Sequence, residues 1–276
     1  MSGAAASRGC CARRPWITEA THTTIAFLGQ CQTSGYPGVP PEATFPQVCR
    51  RALETRLPQR SVSVVTEEYQ HPSELPRATD RVLRARPRVV VLEVVGWLAV
   101  KGGSEAVDLS QLPRGIRSAY DRARHFRRVT HMISTKIPEA AGMIRRVQNN
   151  AQALATGVLR PLLPRYPRPT LAEYESFVDS TVARIQRDGT PVVVQGPGAP
   201  NLALEARGIA ADMPERYREV ERMAQRVAQH RGALYVDRWS TITPRFYLSG
   251  SIRPHADGHT IWGNLLADEL LSAGLV

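Results

Sequence analysis

Residues Gly29 to Gly35, GQCQTSG, end an apolar run, TTIAFL, and lead into a Pro/Gly-rich stretch. A cysteine where a strand gives way to a helical turn is a candidate nucleophile. Its thiol titrates near about 8.5 and titrates lower at a helix N-terminus or beside a cation. The backbone N–H groups of Cys31 and its successors could then stabilise an oxyanion. Acyl transfer also needs a base to take the thiol proton and a group that orients the base. Other chemistries find no support. GGSEAVD and GPGAPN have neither the P-loop lysine nor G-x-G-x-x-G spacing, and no H-E-x-x-H or kinase signature occurs.

The elements that must position Cys31 follow from five short apolar runs, at 23–29, 61–66, 88–96, 191–196 and 233–239. Their β-branched, nearly continuous apolarity fits strands covered on both faces, as in a parallel sheet. Helical spacing lies between them. FPQVCRRALETRL places Val48, Ala52 and Leu53 on one face, and SELPRATDRVLRAR begins at Ser73 as a candidate cap. Thr170 and Glu173 form a capping-box pattern, and Gly189, Gly232 and Gly274 close three helices. Strand–helix alternation predicts a three-layer α/β/α sandwich on a five-stranded parallel sheet. Residues 99–169, Arg-rich with repeated prolines, read as a helical insertion after the third strand, either overhanging the ligand crevice or packed for stability or dimer contact. Residues 1–22 read as a flexible leader, and 23–276 as a single domain carrying the insertion.

The net charge of +11 comes from 34 arginines against two lysines, Lys101 and Lys136. So strong a skew reflects genome composition more than a phosphate-binding patch, and nucleic acid is not expected as a partner. Cys10, Cys11, Cys31 and Cys49 lack zinc-ligand spacing, so neither a metal nor a cofactor is expected. The longest apolar stretch, VVVLEVVGWLAV, is interrupted by Glu93 and too short to span a bilayer. The leader lacks a secretory core, and the expected setting is cytoplasmic.

Over roughly residues 23–273 the order of features resembles the SGNH hydrolase superfamily, the GDSL-type esterases and lipases. GQCQTSG keeps the family's Gly29, Thr33 and Gly35, with Gln30 for Asp and Cys31 for the nucleophilic Ser. In GSIRPHADGHTIWGNLLADEL, Pro254 and Gly258-His259 fall in register. That puts Gly250 at the position of the catalytic Asp and Arg253 at that of the His. EEYQHP stands in for the glycine loop, and VGWLAV, with Gly96 and Trp97, for the Gly-x-Asn-Asp motif. The resemblance implies that Cys31 is the nucleophile and that His255 or His71, on the crevice rim, is the base. Asp257 would orient His255 only through an unusual turn. His259 is placed for packing or capping, and His22, His125, His131 and His230 are simplest as surface residues. Arg253, protonated at any working pH, cannot be a base. It would lower the thiol pKa or hold a carboxylate or phosphate, with Gln30 and Gln70 nearby.

The expected function is enzymatic, through Cys31, and it is the first of three readings, the other two being alternatives. The first is an acyl hydrolase or acyltransferase taking a thioester or activated carboxyl, as a small molecule or on a carrier. Another is an inactive SGNH-fold protein that binds an acidic small molecule or a protein partner in the old crevice. The third is different chemistry in a reused pocket shaped by Arg253 and Trp97.

Overall fold

The computed structural model describes residues 21–36, 38–99, 115, 169–200, 213–248 and 253–276. The leader as far as residue 20, Gly250, His125, His131 and nearly all of the expected 99–169 insertion lie outside the described residues.

Five parallel strands form the sheet: β1 (Thr21–Gly29), β2 (Arg60–Glu68), β3 (Val89–Glu93), β4 (Val192–Gln195) and β5 (Leu234–Val236), in spatial order β2-β1-β3-β4-β5. Among the described residues the α-helices are α1 (Cys31–Ser34), α2 (Phe45–Arg56), α3 (Leu75–Leu83), α4 (Leu171–Arg187), α5 (Met213–Arg231) and α6 (Ala256–Ser272). Alternate strand residues enter opposite layers. Ala26, Leu28, Val90, Leu92 and Val194 pack against α3, α4 and α5. Ile25, Phe27, Val89, Val91 and Val193 pack against α2 and α6. Burial on both faces is why these strands read as unbroken apolar runs.

The helix ends largely follow the local rules. Thr170 and Glu173 form a complete capping box on α4, and Gly189, Gly232 and Gly274 take positive φ just beyond α4, α5 and α6. Ser73 does not cap α3, whose N-cap is Glu74 with no side-chain cap bond. A 3-10 turn at Pro72–Glu74 intervenes, and there His71 accepts the Ser73 N–H.

Period-two alternation breaks at one level. Gly29, Glu93 and Gln195 end β1, β3 and β4, with Glu93 aligned to Gln195. On the pleat, Glu93 and Gln195 follow Val91 and Val193 and so lie on the α2/α6 side. Below them Trp262 of α6 stacks on Phe45 of α2, with ring centroids 3.5 Å apart. Polar side chains therefore collect over an aromatic floor at the carboxyl ends of the strands, where ligands of open α/β sheets bind.

Candidate functional site

The Cys31 turn is held from below. Gln30 is extended, and its N–H donates to Glu93 Oε2 at 3.3 Å. Thr33, a buried residue, donates through Oγ1 to the Gln30 carbonyl at 2.6 Å, and Gly35 at φ 97° ends the turn. Gly29 is required by close approach: a Cβ there would meet Glu93 Oε2 at 2.4 Å and Thr33 Cγ2 at 2.6 Å.

Cys31 is half-buried as a residue. Burial pushes its thiol pKa above the ordinary value; the Arg253 guanidinium, which hydrogen-bonds the sulfur, pulls it down, and Glu68 and Glu93 push it up again. Burial prevails, so the protonated thiol is favoured. The Arg253 guanidinium also lies 5.3 Å from the centre of the Tyr36 ring. Tyr36 Oη reaches the Pro254 carbonyl and lies 2.7 Å from His259 Nε2. The Phe45 N–H donates to His259 Nδ1 at 3.1 Å, so the proton of the neutral ring sits on Nε2 and is given to Tyr36. The Tyr36 hydroxyl in turn donates to Pro254. Burial, with Arg238 and His255 nearby, lowers the His259 pKa to about 3. His259 thus braces the segment that carries Arg253.

The two histidines considered as bases are engaged elsewhere. His255 caps α6: its Nδ1 accepts the Asp257 N–H at 3.2 Å, and its Nε2 lies 3.1 Å from the Arg245 carbonyl. Asp257 thus meets His255 through its backbone, with the carboxylate 3.8 Å away. His71 is buried, its Nδ1 2.8 Å from Ser73 Oγ. Neither is among the charged groups that act most strongly on the thiol, which are Arg253, Glu68 and Glu93. Tyr69 binds the end of β1 through its N–H on the Gly29 carbonyl, and the next N–H, that of Gln70, is taken by Glu74. The structure thus brings Gly29, Gln30, Cys31, Thr33 and Arg253 together.

Beside this turn lies a cavity of about 30 Å³, whose lining includes Gln32, Gly96, Trp97 and Pro254. Gly96 lets the Tyr217 ring close in, since a Cβ there would meet that ring at 2.6 Å. Glu93 and Arg238 face the cavity as a buried pair, Nη1 to Oε1 3.5 Å, side chains 2% and 4% exposed. Arg238 also donates through Nε to the Gly196 carbonyl and lies 3.9 Å over the Trp262 ring. Burial raises the Glu93 pKa, against the opposing pull of Arg238 and the Gln30 N–H. The pair is not among the residues the sequence motifs single out; its one local signal is Glu93, a lone acid ending an apolar strand. Among the described residues no group of three or more potential metal ligands occurs. Nor is any described helix long and apolar enough to cross a membrane.

No family model and no curated protein matches the sequence. Solved structures do. A lipase/acylhydrolase from Enterococcus faecalis is 13% identical, with 91% of this chain and 96% of that chain covered and a TM-score of 0.59. For a carbohydrate acetylesterase from Sinorhizobium meliloti the figures are 10%, 91%, 99% and 0.55. For an acetylxylan esterase from Geobacillus stearothermophilus, solved as a catalytic mutant, they are 13%, 90%, 94% and 0.53. The chain therefore has an SGNH hydrolase-like fold.

Proposed function

We propose that this chain is a ligand-binding protein on a hydrolase scaffold, whose crevice takes an acidic small molecule against Arg253. The observation that supports this reading is the partner of Cys31: a guanidinium where an acyl-transfer site needs an imidazole. Arg253 cannot take the thiol proton. Burial and two carboxylates raise the thiol pKa, so the sulfur stays a neutral neighbour of a fixed cation. Such a pair holds a carboxylate or phosphate oxygen without attacking the atom that bears it. A cytoplasmic setting belongs to the same proposal.

A second reading is an acyl hydrolase or acyltransferase that attacks a thioester through Cys31, with His255 or His71 as base. The position of the sulfur favours it, since Cys31 opens α1 directly beyond β1 on a fold shared with esterases.

Iodoacetamide labelling of Cys31, followed against pH by mass spectrometry, separates the two. Binding predicts a midpoint at or above about 8.5, slower labelling in saturating acetate, and loss of that protection in Arg253→Gln. A midpoint well below that value, or thioester hydrolysis abolished by Cys31→Ala, would overturn it in favour of catalysis.

A further inference from the structure

Behind the Cys31 turn, the cavity that Glu93 and Arg238 share has chemistry of its own. The two charges are 3.5 Å apart, looser than the 2.7–2.9 Å of a well-made charge-assisted bond, so neither is saturated by the other. The Gln30 N–H reaches Glu93 Oε2 only at 3.3 Å. Arg238 spends its Nε on the Gly196 carbonyl and its π-face on Trp262, and it still lines the cavity. Of the lining residues, Trp262 has no acceptor for its buried Nε1–H; Gln195, aligned with Glu93 on the next strand but not lining the cavity, also has neither end of its amide bonded. Buried polar groups in this state call for an occupant.

The occupant must be small and without net charge. About 30 Å³ is two to three times the roughly 10–15 Å³ that one water needs, which leaves room for about three heavy atoms. An anion would meet the Glu93 carboxylate and a cation the Arg238 guanidinium, each at the cost of burying an unpaired ion. A group with an acceptor and a donor side by side meets both.

We infer that the cavity binds a primary carboxamide, its carbonyl accepting from Arg238 and its NH₂ donating to Glu93. This rests on the binding reading and names the inner end of the ligand. Gln32 and Pro254, which line the cavity, are the chain neighbours of Cys31 and Arg253, so one molecule would place its carboxamide inside and its acidic group on Arg253.

The test is calorimetric titration of the full chain with acetamide, acetate and methylammonium. It is run in the Arg253→Gln background, where acetate has no outer site to fill. Acetamide should bind at least about tenfold tighter than either ion. Glu93→Gln, added to that background, removes the negative charge at constant shape and should reverse the order in favour of acetate. Should that variant fail to fold, Gly198→Ala serves instead: its new methyl would sit 2.9 Å from Tyr247 Oη and 3.0 Å from Ile242 Cβ on the wall, and acetamide affinity should fall. Acetamide that does not bind, binds no better than acetate, or is indifferent to the cavity variant overturns the inference. The outer site is judged separately, by protection of Cys31 in the unmodified chain.

Discussion

His259 should make the protein acid-labile in a defined window. Its folded pKa is about 3, against an ordinary 6.5, because the ring is buried between Tyr36, Phe45 and Trp262 with Arg238 nearby. The unfolded chain therefore binds a proton between these values that the folded chain refuses. Stability from this residue is full above pH 6.5 and is lost as pH falls toward 3. At about 1.4 kcal/mol per unit, acidification from pH 6.5 to 5 removes about 2 kcal/mol, and the whole window about 5 kcal/mol. Glu93 works in the opposite sense, since its raised folded pKa adds stability as the carboxylate protonates on acidification. The His259 contribution is thus the difference between the parent and His259→Asn, in which Glu93 and every other group are common. Urea unfolding of both at pH 6.5, 5.8 and 5.0 measures it. The variant should be less stable at pH 6.5 and lose less stability on acidification, so the gap narrows by about 2 kcal/mol at pH 5. A gap independent of pH would refute the assignment of a buried neutral imidazole.

Gly29→Ala should destabilise by about 1–3 kcal/mol in urea unfolding, because the methyl meets Glu93 and Thr33. Arg238→Met should cost about 3–5 kcal/mol by leaving Glu93 buried without its partner, and Glu93→Gln added to it should recover part of the loss. Thr170→Ala should remove about 1 kcal/mol through the capping box and leave Cys31 alkylation unchanged. Arg253→Gln should shift the alkylation midpoint of Cys31 to higher pH, since the guanidinium is what lowers it.

The strands were legible because burial on both faces writes continuous Val, Ile and Leu into the chain, and three helix ends because glycine marks them. Ser73 misled because a serine before a helical pattern has the chemistry of a cap, while the structure inserts a 3-10 turn capped by His71 and leaves α3 to begin after Glu74 without a side-chain cap. The site was legible only in part. Register along the final motif identified Arg253 as the residue standing where a base belongs, and its guanidinium is on the thiol. The bracing by Tyr36 and His259 joins residues 223 apart, and Glu93 and Arg238 are 145 apart. Such pairs are made by strand order, which local patterns do not encode.

Trp262 lies between Phe45 on one side and the Arg238 guanidinium on the other. Its indole is shielded from solvent and held against a cation that lines the neighbouring cavity. Filling of that cavity by the proposed carboxamide would change the cation's surroundings, and the emission of Trp262 would then report occupancy without a label.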